Sequence, residues 1–211
     1  MVIPPDWRVD ERPVDYDDAI SFMEDKVGLI RNKGDNDLVW LLQHPPLYTA
    51  GTSAQVRDLV APVFPVYETG RGGQYTYHGP GQRVAYVMMD LQRRGADLRQ
   101  YVRDLEEWLI AVLQTLDVKG ERRKGRIGIW VSGNGSEEKI AAVGIRVRKW
   151  VTYHGVSINL DPDITHYNGI IPCGIREYGV TSLKKLGVNI TMAELDQALQ
   201  QSWEPVFGGL S

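Results

Sequence analysis

Cysteine is all but missing from this chain: its 211 residues contain one, Cys173. A single cysteine excludes an internal disulfide and any cysteine-rich metal site, and it points to a reducing, cytoplasmic setting. Long apolar runs are missing too. The longest, Trp108 to Leu113 and Val84 to Met89, are six residues each, against the roughly 20 that cross a bilayer. The opening Val2-Ile3-Pro4-Pro5-Asp6 has no basic stretch leading into an apolar one, so neither a membrane partner nor a secretory signal is expected. Histidine is scarce. His44, His78, His154 and His166 include no pair at a metal-ligand spacing, and no metal is expected. Positive charge is not in excess either: the net charge is −3, which argues against a dedicated nucleic-acid binder.

What is present is ordinary globular usage, 43% apolar and 24% charged, which excludes a wholly disordered chain. At this length one core buries roughly 70% of the unfolded surface without a staple. With no repeat, low-complexity segment or composition break, one domain over residues 1–211 is expected. Charge is unevenly spread. Residues 1–68 carry 6 basic and 12 acidic side chains, residues 69–150 carry 15 and 9, and residues 151–211 carry 3 and 6. The basic middle is densest at Lys119, Arg122, Arg123, Lys124 and Arg126, and again at Arg146, Arg148 and Lys149. It reads either as a solvated face or as a docking surface for an acidic partner.

Three segments have helical spacing. Asp15 caps the first, through about Asn32, with Tyr16, Ile20, Met23, Val27 and Ile30 on one face. Asp97 opens the second, where Gln100 completes a capping-box pattern and Leu98, Tyr101, Val102, Leu105, Leu109, Val112 and Leu116 form a stripe. Thr191 to Glu194 is a further capping box, with Leu195, Leu199 and Trp203 on one face. Strand-like runs are Leu38 to Gln43, Leu47 to Thr49, Val66 to Thr69, Arg83 to Asp90, Ile127 to Val131, Lys139 to Arg148 and Val151 to Leu160. Gly133-Asn134-Gly135 is a hairpin-type turn. Helices and strands do not alternate, so an α+β fold with a central mixed or antiparallel sheet is expected.

Several segments carry possible chemistry. Gly70 to Gln82 packs five glycines into its first twelve residues, which lets backbone approach a ligand and lets free N–H groups form an anion nest. Arg71 then becomes a partner for a phosphate or carboxylate, although a glycine-rich hairpin end with a surface arginine fits equally. Cys173 sits between Pro172 and Gly174, a fixed turn where an exposed sulfur and free N–H groups can coexist; a lone cysteine is more often an inert buried residue. Lys139 opens an apolar strand. It is either a snorkelling edge residue or, pointed into a pocket, a cation that stabilises a thiolate. His78 and His154 share the context Thr-Tyr-His-Gly, aimed from strand ends, which leaves a cysteine–histidine hydrolase open.

These residues together resemble a known family, the lipoyl(octanoyl) transferases, which share a fold with the biotin and lipoate protein ligases. The resemblance runs through His44-Pro45-Pro46 with Tyr48-Thr49 and Gly51, then Arg71-Gly72-Gly73-Gln74 and Thr76-Tyr77-His78-Gly79-Pro80-Gly81-Gln82. It continues through Lys139 to Ile145, Trp150 to Gly155, and Pro172-Cys173-Gly174, covering roughly residues 15–205. Val156-Ser157 and the stretch from His166 to Ile171 depart from the usual form.

The resemblance implies acyl transfer by a Cys173–Lys139 pair, without ATP or any cofactor. Octanoyl-acyl carrier protein is the implied donor. The acceptors are lysines on lipoyl domains of 2-oxoacid dehydrogenase complexes and on the glycine cleavage H protein. Arg71, Gly72, Gly73, Gln74, Tyr75, Thr76, Tyr77 and His78 are expected to bind substrate. Ala142, Val143, Gly144, Gly155, Val156 and Ser157 would line the octanoyl channel. His44 and His154 are expected in support, and backbone N–H groups near Cys173 and His78 at the oxyanion. Acyl carrier proteins are acidic as a class, which would give the basic middle third a partner. An ATP-dependent lipoate or biotin ligase is the alternative, followed by a thiol hydrolase and a non-catalytic binding module.

Overall fold

The computed structural model describes residues 3–133, 136–171 and 178–208. Its helices begin where short polar side chains satisfy otherwise unpaired amides. Asp15 accepts from the Asp17 amide at 3.0 Å and starts α1 (Tyr16–Lys33), which buries Tyr16, Ala19, Met23, Val27 and Ile30. Asp97 accepts from the amides of Arg99 and Gln100, both at 2.9 Å, and starts α2 (Leu98–Thr115). The reciprocal half of the expected capping box is not made there. Gln100 Nε2 donates instead to Asp104 Oδ1 at 2.8 Å, a charged acceptor one turn further on. The box at α3 (Met192–Gln201) is complete, with Thr191 and Glu194 bonding each other's backbone. Trp203 does not extend that helix; it opens a separate short one, α4 (Trp203–Phe207).

The strands in chain order are β1 (Asp6–Val9), β2 (Leu38–Leu42), β3 (Leu47–Ala50), β4 (Val66–Glu68), β5 (Tyr75–His78) and β6 (Gln82–Met88). They continue with β7 (Glu121–Arg123), β8 (Arg126–Gly133), β9 (Ser136–Arg148), β10 (Val151–Asn159) and β11 (Gly179–Val180). A large mixed sheet runs β1-β2-β6-β10-β9-β8-β7, with β11 added beside β9. The β1–β2 and β11–β9 pairs are parallel and the others antiparallel. This is the expected α+β architecture. Strands β8 and β9 pair antiparallel as a hairpin-type turn requires, while Asn134 and Gly135 of that turn lie outside the described residues.

A second sheet, β4-β3-β5, was not expected. Its third strand lies inside the glycine-rich block, whose composition reads as loop.

Alternate residues of the large sheet face opposite layers. Val39, Leu41, Ala85, Val87, Val156 and Ile158 pack under α2, α3 and α4, against Leu105, Trp108, Leu109, Leu195 and Leu199. Trp40, Leu42, Val84, Tyr86, Met88, Val151 and Tyr153 face the other way, onto α1. Each large apolar side chain so buried contributes roughly 1.5–3 kcal/mol. The small sheet keeps its own cluster, Tyr48, Tyr75, Tyr77, Tyr167 and Ile170. Among the described residues, no helix is long and apolar enough to cross a membrane.

Candidate active site

The two sheets do not close completely on each other, and a cavity of about 380 Å³ lies between them. Small-molecule sites commonly span roughly 300–1,000 Å³. Lys139, Ala141, Ala142, Val143, Gly144 and Ile145 of β9 form one wall, joined by His154, Gly155, Val156 and Ser157 of β10 and by Val84 and Tyr86 of β6. Arg71, Gly72, Gly73, Gln74, Tyr75, Thr76 and His78 form the opposite wall from the small sheet and its approach loop. The expected channel residues on β9 and β10 therefore meet the expected glycine-block residues across one space. Tyr77 is not among the lining residues. It packs among Tyr48, Phe64 and Tyr167, and its hydroxyl bonds His166 Nδ1 at 2.8 Å. Burial pushes that phenol up to about 12.

Arg71 builds the wall rather than reaching from it. It is 7% exposed. Its Nη2 donates to Thr49 O (2.8 Å), Thr49 Oγ1 (2.7 Å) and Gln74 O (2.9 Å), and its Nη1 donates to Gly72 O (2.9 Å). A guanidinium so engaged shapes the loop from within the wall. The Gly72 amide in turn donates to Ile145 O at 2.8 Å, which ties the loop to β9 across the seam.

Lys139 lies opposite Trp130 on one side and Val180 on the other. Its ammonium is 5.4 Å from the centre of the Trp130 ring, within range of a cation–π attraction. The side chain crosses β8 at Gly128, a position sequence reasoning passed over. There φ is +107°, and an added Cβ would stand 2.5 Å from Lys139 Cε and 2.6 Å from Ala141 O. Only glycine gives both that backbone and that room. Cys173, with Pro172 and Gly174, lies outside the described residues. On one side of it, the Ile171 amide donates to Asp58 O at 2.7 Å. On the other, Gly179 and Val180 pair with Glu138 and Lys139.

Three buried histidines gather beside Tyr86, with His44 and His154 against its ring and His78 against His44. His44 does not line the space. Its Nδ1 faces Val14 O at 2.7 Å, a pure acceptor, so Nδ1 carries the proton and Nε2 accepts from the Tyr86 hydroxyl at 2.7 Å. The His78 ring stands 5.9 Å from it. His154 is not at a strand end, as the sequence suggested; it is mid-strand in β10 with φ +58°. Its alternation partner Val156 faces the α2 layer, and Thr152 bonds Tyr101 of α2. The left-handed backbone takes the imidazole out of that alternation and stacks it 5.2 Å from Tyr153. Burial lowers all three rings, His44 to about 4, His78 to about 3 and His154 to about 3. They are neutral at physiological pH. Tyr16, whose buried hydroxyl has no hydrogen-bond partner among the described residues, and Tyr86 also line the space and carried no signal in the sequence beyond their apolar spacing.

The densest basic stretch is largely neutralised within the fold. Arg122 pairs with Glu106 (3.2 Å) and Glu107 (2.7 Å), Arg123 with Glu121 and Glu137, and Arg126 with Glu137 (2.6 Å). Those arginines brace β7, β8 and β9 against each other and against α2, which favours the solvated-face reading over a docking surface.

Comparison with known proteins agrees with this geometry. The profile of the lipoyl protein ligase A/B catalytic domain matches residues 15–204. An octanoyltransferase of Paramagnetospirillum magneticum is 63% identical over 210 residues, covering 99% of both chains. An octanoyltransferase of Rhodospirillum rubrum is 56% identical over 205 residues, covering 96% of this chain and 95% of its own. Among solved structures, a putative lipoate protein ligase from T. acidophilum with bound lipoic acid superposes with a TM-score of 0.72 at 16% identity, over 98% of this chain and 87% of that one. At that identity the likeness is one of fold.

Proposed function

The chain belongs to the lipoyl protein ligase A/B catalytic-domain family and is an acyltransferase of octanoyl groups in lipoate biosynthesis, and we propose that it works through an acyl-thioester on Cys173. Octanoyl-acyl carrier protein presents a thioester. The Cys173 thiolate attacks its carbonyl carbon, and the carrier's sulfur leaves with a proton from the Lys139 ammonium. The neutral ε-amine of a target lysine then attacks the acyl-Cys173 carbonyl. The carbon–nitrogen bond forms, the carbon–sulfur bond breaks, and one amine proton ends on the cysteine sulfur. The targets are lipoyl domains of 2-oxoacid dehydrogenase complexes and the glycine cleavage H protein. Exchange between thioesters is nearly isoenergetic and aminolysis runs downhill, so neither ATP nor another cofactor is required.

The observation that carries this reading is the cavity itself. Apolar and glycine positions of β9 and β10 line it for much of its length, and Lys139 stands in the same wall. An eight-carbon chain would lie along Ala142, Val143 and Gly144 and across from Gly155, Val156 and Ser157. Burying each methylene would contribute about 0.8 kcal/mol. The test is the intact mass of the protein after incubation with octanoyl-acyl carrier protein. A gain of one octanoyl group, mapped to Cys173 and transferable to a lipoyl domain without ATP, is expected. An unmodified enzyme, or transfer that waits for ATP, would overturn the mechanism in favour of a ligase.

A further inference from the structure

Along the cavity, a chain of buried groups links His78 to the Lys139 backbone. His78 Nδ1 lies 2.6 Å from Gln82 Oε1. Gln82 Nε2 donates to Tyr77 O (3.2 Å), to Asn159 Oδ1 (3.0 Å) and to the Tyr167 hydroxyl (2.9 Å). Asn159 Nδ2 donates to Thr181 O at 3.0 Å, and the Thr181 amide donates to Lys139 O at 3.0 Å. Gln82 and Thr181 are 0% exposed and Asn159 is 4%.

Each amide in this chain has its orientation set independently. A backbone carbonyl only accepts, so the Gln82 atom facing Tyr77 O is its nitrogen, and the Asn159 atom facing Thr181 O is its nitrogen. Gln82 then necessarily turns its oxygen to His78, and that oxygen only accepts. The proton of the neutral imidazole therefore sits on Nδ1. Nε2 is left as a lone pair on a ring that lines the cavity. This excludes the His78 ring as a donor to an oxyanion.

We infer that Gln82 and Asn159 are positioning residues, which lock His78 in the Nδ1–H tautomer so that its Nε2 accepts a hydrogen bond from the attacking lysine amine. The inference rests on the acyl-Cys173 reading above. The amine has two protons; one is lost to sulfur as the amide forms and the other stays on nitrogen. A hydrogen bond to Nε2 orients the nitrogen and aims its lone pair at the carbonyl carbon. The ring must stay unprotonated to do this. Burial, the neighbouring His44, Arg71 and His154 all disfavour its charged form, while the Gln82 bond alone opposes them. The chain reaches the Lys139 backbone carbonyl through Asn159 and Thr181, which ties the acceptor to the strand that carries the proposed proton-carrying side chain.

The experiment has two parts. Nitrogen-15 NMR of the wild-type imidazoles reads the tautomer directly, and His78 is expected to show a protonated Nδ1 and an unprotonated Nε2. A protonated Nε2 in the neutral ring overturns the inference without any variant. In Gln82→Met the tautomers are expected to mix. Single-turnover aminolysis of the preformed acyl-enzyme should then slow by about tenfold, the scale of one lost hydrogen bond, with a smaller loss in acyl-enzyme formation from a small octanoyl thioester. An unchanged tautomer, or equal losses in both steps, overturns it. Should wild type form no acyl-enzyme at all, the acyl-Cys173 mechanism itself falls, a result distinct from either of these.

Discussion

Acidification should weaken this fold from about pH 6.5 downward, and the buried histidines set the size of the effect. His44, His78 and His154 are lowered to about 4, about 3 and about 3, from an ordinary 6.5. In the unfolded chain each takes up a proton near 6.5; in the folded protein each refuses it until far lower. Between those limits the unfolded state binds more protons, so stability falls as pH falls. Above 6.5 neither state is charged and the groups contribute no pH dependence. At about pH 5.5 the cost is roughly 1.4 kcal/mol for each histidine and about 4 kcal/mol for three acting independently. That is a large share of the roughly 5–15 kcal/mol that holds a domain together. Asp37, Asp104 and Asp196, raised by burial, work in the opposite sense. A variant comparison isolates the histidines. Urea unfolding of wild type and His154→Asn, at about pH 7.5 and 5.5, should show the variant losing less; asparagine tolerates the left-handed backbone at that position. Equal losses in both proteins, or none in wild type, would refute the reasoning.

Three further outcomes are expected. Cys173→Ser should form no acyl-enzyme and lose overall transfer with its unfolding transition unchanged, because a hydroxyl without a strong base is a poor nucleophile; wild-type rates from it would end the thioester mechanism. Lys139→Met should move the pH midpoint of Cys173 alkylation by iodoacetamide upward by about one unit or more, and coincident titrations would make Lys139 a structural lysine. Gly128→Ala should destabilise by about 1–3 kcal/mol in thermal unfolding, since φ +107° and the 2.5 Å approach to Lys139 Cε both oppose a Cβ. Its transfer rate should fall further than unfolding explains, because the new methyl displaces Lys139.

Much of this fold was legible because local signals agree with burial. Asp15, Asp97 and Thr191 each cap the helix their spacing predicts, and the stripes behind them are core. The glycine block and the β9 and β10 motifs meet at one cavity, as their shared resemblance implied. What escaped notice depends on partners distant in sequence. β1, β7 and β11, of 4, 3 and 2 residues, are too short for alternation to register and exist because β2, β8 and β9 offer edges. The ion pairs of Arg122 with Glu106 and Glu107, and of Arg123 with Glu137, join residues 14 to 16 positions apart, so a charge run that reads as open surface is largely closed on itself. His154 was placed at a strand end because its Thr-Tyr-His-Gly context reads as one, whereas β10 runs on through Gly155 and takes up φ +58° at the histidine without ending.

The cavity lies where two separately hydrogen-bonded sheets abut, and this divides labour between the walls. The large sheet is anchored by two extensive apolar layers, under α2 to α4 and under α1, while the small sheet rests on its own aromatic cluster. Substitutions at Tyr75 or Thr76 therefore act on the width of the space without reaching those layers, whereas changes on β9 or β10 touch both the space and the core. Selectivity for the acyl chain and stability of the molecule can drift semi-independently, with the small sheet as the adjustable side of the seam.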